Sequence, residues 1–339
     1  MQNIEELKRI LSSPKKVVII PHQKPDADAL GSCLSLSAYL KKLHHQVQVL
    51  SPTDYPNFLT WMSGNEEVMV FEPSKEKIFQ DIIRNSDVIF CLDYSDLARI
   101  TPLDKWVVQS PAIKIMIDHH IDRIAFTQYE LWEPKAAATA ELVYDFIQLM
   151  GGNDLIDIPI AECIYAGIMT DTGSFKYPST SSKIHRIIAK LLDIGINHSK
   201  IHHQIFDTNS ENRLRLIGFA LKERLTILRE FRTAFFALSS SDLKTHQYQT
   251  GDTEGLVNYA LSLEGIIFAA ILIEDSDKIK MSFRSIGDFS ANDFAREHFN
   301  GGGHKNAAGG RVVNGKLDSV IQQFVSLLPH YKAKLFNSL

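Results

Sequence analysis

Cysteine is scarce in this chain: Cys33, Cys91 and Cys163 are the only three among 339 residues. None belongs to a CxxC pair and each has apolar neighbours, which argues against a thiolate metal cluster or a disulfide framework. The pattern instead fits small buried side chains in a reducing compartment. Long apolar runs are also missing. The longest, "GIIFAAILI" at 265–273, is too short to cross a bilayer as a helix. The opening "MQNIEELKRILSSPKK" is charged and lacks an apolar h-region, so no signal peptide and no membrane partner are expected, and the expected location is cytoplasmic. Excess positive charge is absent too. A formal net charge of −4 gives no basis for a broad grip on long duplex DNA, yet allows a small anionic substrate in a local pocket. Internal repeats and low-complexity segments are not found.

What is there describes a globular protein, 45% apolar and 22% charged, with length enough for two domains. Short apolar runs alternate with helical patterns: "KKVVIIPH" at 15–22, "HQVQVL" at 45–50, "EEVMVF" at 66–71, "DVIFCLD" at 87–93 and "AIKIMID" at 112–118. Strands alternating with helices predict an α/β fold, a mostly parallel sheet flanked by helices over residues 1–190. A polar helical stretch at 191–228 reads as a connector. Residues 229–339 then read as a smaller α/β domain with a mixed sheet, because "GIIFAAILIED" and "KIKMSFRS" are joined by a hairpin with Asp275 and Ser276 in its turn. A glycine-rich loop follows at 301–303.

Acids and histidines collect at one kind of place. His22, Asp26 and Asp28 follow the first strand, Asp93 ends another, and Asp118, His119 and His120 end "IKIMI". Asp171 lies in "TDTGSF" after a helical pattern. Taken singly, the aspartates read equally well as caps and turn formers, and the histidine pair as one packed and one exposed ring. Together they are harder to dismiss, since loops beyond the carboxyl ends of parallel strands converge on one crevice. Carboxylates crowded there repel one another, and a divalent cation removes that penalty. Carboxylate and imidazole donors without thiolates suit Mn2+, Mg2+, Fe2+ or Zn2+. Six donors are better matched to two ions sharing a carboxylate than to one.

With these motifs in order, the chain resembles the DHH phosphoesterase superfamily with a C-terminal DHH-associated domain (DHHA1). Within it, the resemblance is to the bifunctional oligoribonuclease and pAp phosphatase (nanoRNase) family. It rests on "HQKPDADALGS", "LDYSD", "DHH", "TDTGSF" and "GGGHKNAAGG", which span nearly the whole sequence. It implies His22, Asp26 and Asp93 as ligands of one Mn2+ and Asp28, Asp93, His119 and Asp171 as ligands of a second, with Mg2+, Co2+ or Fe2+ as alternative metals. It further implies catalytic roles for Asp93, for His120 facing the scissile phosphate, and for Asp118 orienting an imidazole. Ala27 stands where the family usually has glycine, and would be strained if that position required φ > 0.

Glycines let backbone amides approach an anion, and Arg suits bidentate phosphate recognition. The resemblance accordingly marks Arg284, Ser285, Gly301, Gly302, Gly303 and His304 as substrate-binding. The activity implied is hydrolysis of single-stranded RNA of about two to five nucleotides to nucleoside 5′-monophosphates, with 3′-dephosphorylation of pAp to AMP, by water activated between the two cations. The alternatives are a phosphodiesterase for linear or cyclic dinucleotides (pApA, pGpG, cyclic di-AMP) and a catalytically dead nucleotide sensor. A homodimer stays open.

Overall fold

The computed structural model describes residues 3–121, 123–275 and 277–338, and the chain divides into two compact units, Met1–Thr208 and Asn209–Leu339. In the first unit, α1 (Ile4–Ile10), β1 (Lys16–Pro21), α2 (Ala27–Lys42), β2 (Gln46–Ser51), β3 (Met69–Val70), α3 (Glu76–Arg84), β4 (Val88–Leu92) and α4 (Asp104–Gln109) follow in order. After them come β5 (Ile113–Asp118), β6 (Tyr129–Trp132), α5 (Thr139–Leu149), α6 (Ile158–Asp171), α7 (Ser182–Ile194) and α8 (His198–Phe206). The six strands are parallel throughout, in the order β3-β2-β1-β4-β5-β6.

Both faces of this sheet are buried, which is why β1 and β4 read as apolar runs and β5 as one interrupted before Asp118 by Lys114, whose Nζ turns back to the Ser110 and Ala112 carbonyls. Val17, Ile19, Val88, Phe90, Leu92, Ile115 and Ile117 pack against α2, α5 and α6. Val18, Ile20, Ile89 and Cys91 face α3 and α4 on the other side. The three cysteines are free and buried. Helices α2 and α6 approach closely because Gly31 carries no Cβ, which would otherwise sit 2.5 Å from the Cys163 carbonyl oxygen. The strand order reverses between β1 and β4, so the crevice at a topological switch point opens where β1, β4 and β5 end.

The second unit begins with α9 (Glu211–Phe219), so the helical stretch read as a connector is divided between the units. It continues with β7 (Leu225–Leu228), β8 (Thr233–Leu238), α10 (Ser240–Thr245), α11 (Leu256–Leu261), β9 (Phe268–Asp275), β10 (Lys278–Ser285), α12 (Ala291–His298), β11 (Gly302–His304), β12 (Ala307–Val313) and α13 (Leu317–Phe336). The sheet order is β11-β12-β10-β9-β8-β7; β8 and β9 are parallel and the other pairs antiparallel, a mixed sheet. Of the expected hairpin turn, Asp275 ends β9 and Ser276 lies outside the described residues. Among the described residues no helix is long and apolar enough to cross a membrane.

One local expectation holds and one is corrected. Ala27 is the first residue of α2 and has no positive φ, so the alanine is accommodated without strain; Asp93 at this crevice does have a left-handed backbone, with φ 65. The glycine-rich loop is in fact edge strand β11, paired with β12 through Gly302 and Gly309. Its glycines serve that pairing: a Cβ at Gly301 would collide with the Gly309 carbonyl oxygen, and one at Gly303 would lie 2.5 Å from the Ala307 oxygen.

Candidate metal centre

His22, one residue past β1, is buried, and its Nδ1 lies 2.7 Å from the Gln23 carbonyl oxygen, which accepts its proton. That hydrogen bond turns Nε2 toward Asp93 Oδ2 at 3.3 Å and Asp26 Oδ2 at 3.9 Å. Asp26 is indeed the N-cap of α2, with Oδ1 accepting from the amides of Asp28 and Ala29. Its second oxygen is the one that faces His22, so cap and candidate ligand are the same residue.

Asp28, in the first turn of α2, is fully buried. Its Oδ2 accepts from the Thr139 amide at 2.6 Å and its Oδ1 from the Ala140 amide at 2.8 Å. Those two amides open α5, whose N-cap position holds Ala138 with no side-chain cap of its own. A carboxylate from another helix therefore satisfies the orphan donors. Gly167 of α6 leaves room for it: a Cβ there would lie 2.7 Å from Asp28 Oδ1.

His119 follows β5 and is buried; its Nδ1 sits 3.1 Å from the Ala136 carbonyl oxygen. The proton on Nδ1 is thereby fixed, leaving Nε2 as the nitrogen that faces the acids. Nε2 lies 3.4 Å from Asp171 Oδ2, 3.5 Å from Asp93 Oδ1 and 3.8 Å from Asp28 Oδ2. Asp171 is the last residue of α6 rather than a member of the loop after it. Asp93 thus offers Oδ2 to His22 and Oδ1 to His119, the two-sided arrangement of a bridging carboxylate. Its left-handed backbone is tolerated by aspartate better than by most residues.

The donor spacing suits cations. Ligands about 2.0–2.2 Å from a common ion lie about 3.0–3.5 Å from one another. His22–Asp93 at 3.3 Å and His119–Asp171 at 3.4 Å match that spacing, and with Asp26 in the first group and Asp28 in the second all ligand atoms stay within 4.8 Å of one another in each. The electrostatics agree. Burial pushes the Asp28 carboxyl up, and the Asp93 and Asp26 charges add to it, to about 8. Asp171 is raised well above the usual carboxylate range by burial and by Asp28 and Asp26. Burial alone would lower the histidines, but hydrogen bonds and charge from Asp93 outweigh it, so that His22 is raised and His119 raised strongly. Against its own burial, Asp93 is held well below its ordinary value by hydrogen bonds from His119 and His22. Without a cation, protons on Asp28, Asp171 and the imidazoles relieve the crowding.

His120 is oriented differently. Its Nδ1 donates to Asp118 Oδ1 at 2.7 Å, and its carbonyl accepts from Trp132 Nε1. Asp118 is fully buried and its other oxygen has no hydrogen-bond partner among the described residues. The adjacent rings of His119 and His120 stand nearly perpendicular, at 77°. One sequence position thus sends its imidazole into the acid cluster, and the next holds its own on Asp118.

In the second unit, His304 and Arg284 are aligned with Ala307 from opposite sides, β11 and β10 flanking β12. Directly paired residues share a sheet face, so both side chains rise from the same face about 10 Å apart with only a methyl group between them. Phe283 points the other way, into the core. The Gly301 amide donates to the Ala295 carbonyl, a Cβ at Gly302 would meet Asn292 Oδ1 at 3.8 Å and Arg296 Cγ at 4.0 Å, and Arg284 donates to the Phe283 carbonyl. Ser285 is buried; its hydroxyl donates to the Phe289 carbonyl at 2.6 Å and accepts from Asn306 at 2.9 Å. Both bonds brace the turn after β10.

Thr139, Gly167 and the Ala136 carbonyl escaped the sequence reading. Only the missing N-cap before "TAELV" hinted that a distant group completes that helix start.

The profile of the DHH family N-terminal domain matches residues 16–168 and that of the DHHA1 domain residues 236–330. The chain is 27% identical over 325 residues to the bifunctional oligoribonuclease and PAP phosphatase NrnA of Thermus thermophilus, covering 95% of this chain and 91% of that protein. To the protein of the same name from Bacillus subtilis it is 25% identical, covering 91% and 93%. A crystal structure of an exopolyphosphatase-related protein from Bacteroides fragilis superposes with a TM-score of 0.92 at 37% identity, over 98% of this chain and 97% of that one. Fold, motif order and these matches agree: the chain belongs to the DHH family of phosphoesterases and carries a C-terminal DHHA1 domain.

Proposed function

We propose that this protein hydrolyses very short single-stranded RNA, about two to five nucleotides, to nucleoside 5′-monophosphates and removes the 3′-phosphate of pAp, using two divalent cations, Mn2+ foremost. The observation that carries the reading is the pair of donor groups sharing Asp93. The relatives named for both activities support the substrate class. His22, Asp26 and Asp93 hold one ion, and Asp28, Asp93, His119 and Asp171 the other. Bound there, the ions polarise the phosphate and lower the pKa of a water nucleophile.

One bond change covers both substrates. A water oxygen joins phosphorus, the bond from phosphorus to a 3′ oxygen breaks, and that oxygen takes up a proton. From RNA the phosphorus stays with a nucleoside 5′-monophosphate; from pAp it leaves as orthophosphate. His120 meets the non-bridging phosphate oxygens through Nε2, and Asp118 fixes its ring through Nδ1. Asp93, held as a carboxylate by two imidazoles, keeps both oxygens available. In the DHHA1 domain, Arg284 and His304, both aligned with Ala307, supply donors suited to a phosphate.

The test offers the Mn2+-loaded protein pAp, a ladder of 5′-labelled RNA from dimer upward, pApA, pGpG and cyclic di-AMP, and compares kcat/KM. Cleavage of pAp and of the shortest RNAs is expected, with a steep fall as length increases. Absence of turnover with both would sink the reading.

A further inference from the structure

Thr139 touches the cluster twice. Its amide donates to Asp28 Oδ2 at 2.6 Å and its hydroxyl to Asp93 Oδ1 at 2.8 Å. It is fully buried at the first position of α5, and it reaches carboxylates carried by α2 and by the end of β4. No other motif of the sequence placed it near the crevice.

The two contacts act on different freedoms. The terminal torsion of an aspartate is broad and roughly two-fold, so the carboxylate plane rotates easily unless held. For Asp93 to bridge, one oxygen must face His22 while the other faces His119. The Thr139 hydroxyl bonds the oxygen that lies 3.5 Å from His119 Nε2, leaving Oδ2 at 3.3 Å from His22 Nε2. The Thr139 amide, with that of Ala140, fixes both oxygens of Asp28. One residue on a rigid helix start therefore sets the relative rotation of a carboxylate common to both donor groups and of one belonging to the second alone.

We infer that Thr139 is the positioning residue that makes Asp93 a bridge, and that its hydroxyl is what keeps the two cation sites occupied together. The inference rests on the two-cation reading above. Thr139→Val keeps the shape and removes the hydroxyl; Thr139→Ser keeps the hydroxyl.

Calorimetric titration of the metal-free full chain with Mn2+ should show two ions per chain in the parent protein. Thr139→Val should lose about 10- to 100-fold in affinity for at least one ion, in the range seen when a partner behind a metal ligand is removed. Thr139→Ser should stay within about threefold. Electron paramagnetic resonance supplies a second readout: the coupled signal of a Mn2+ pair in the parent and in Thr139→Ser, and signals of isolated ions in Thr139→Val. Melting temperatures in EDTA separate a folding effect, which would move the midpoint while leaving affinity and spectrum alone. A Thr139→Val protein that binds two coupled Mn2+ as tightly as the parent overturns the inference. A parent chain that binds no Mn2+ pair overturns the two-cation reading, and this inference with it.

Discussion

Gly167→Ala tests how closely the α2–α6 crossing is tied to the chemistry. The added Cβ would stand 2.7 Å from Asp28 Oδ1, 2.7 Å from Ala140 Cβ and 3.2 Å from Asp28 Cα, where ordinary contact begins at 3.4 Å. Something must give by about 0.7 Å, and all three neighbours belong to the cation cluster or the helix start that holds it. Overpacking of this kind costs about 1–3 kcal/mol, while replacing glycine by alanine inside a helix returns about 1 kcal/mol. Net stability should therefore fall by only about 0–2 kcal/mol. Activity should fall further, because functional groups tolerate only about 0.5 Å of displacement and a 1 Å misplacement costs about 100-fold. The expected result is a 10- to 100-fold lower kcat/KM for pAp, about that range, with a higher Mn2+ requirement. Gly218→Ala is the control: nothing lies within 4 Å of its added Cβ, so it should leave turnover alone. A Gly167→Ala enzyme within twofold of the parent at limiting Mn2+ would refute the reasoning.

In EDTA, stability should fall as pH rises from about 4 to about 8, because folded Asp28 keeps its proton until about 8 whereas the unfolded chain releases it near its ordinary value. Asp171 acts in the same direction, as do the raised His22 and His119 above their ordinary value, while Asp93 adds stability that is lost only as pH drops through its depressed value. Denaturant melts at pH 5 and pH 8, about the ends of that window, with and without Mn2+, check it; a rise with pH in EDTA would contradict the charge crowding. Asp93→Asn, which keeps a side chain tolerant of the left-handed backbone, should lower turnover of every substrate about 1,000-fold or more in the same kinetic assay. His304→Ala should raise KM for short RNA about 10-fold with little change in kcat, and an unchanged KM would remove it from the substrate face.

Most of the first sheet could be read from sequence because β1, β4 and β5 are buried on both sides and, Lys114 excepted, are nearly all apolar. The edge strand β6, "YELW", could not, being too brief for a period to show, whereas β3 falls inside the run "EEVMVF" read at 66–71. The acid cluster was legible because chemistry and strand ends coincide at His22, Asp93 and His119. Thr139 and Gly167 were not, since neither a threonine at a helix start nor a glycine within a helix announces which distant carboxylate it serves. The strand at Gly302–His304 reads as a loop for a related reason. Conformational freedom and room for a neighbouring strand look identical in sequence; here Gly301 supplies room, and Gly303, with φ 151, supplies both.

The bonds between Asp28 and the start of α5 join residues 111 and 112 positions apart. A site closed over such separations cannot form while either half of the first unit is loose, so its ligands assemble only with the whole fold. Cation binding should therefore act on global unfolding, not on local fraying. The slowest-exchanging amides of β1, β4 and β5 should be protected further by Mn2+, whereas those of the exposed ends of α3 and α4 should exchange at unchanged rates. For this protein the metal would report on the integrity of the entire unit, making loss of cation and loss of fold one event under denaturing stress.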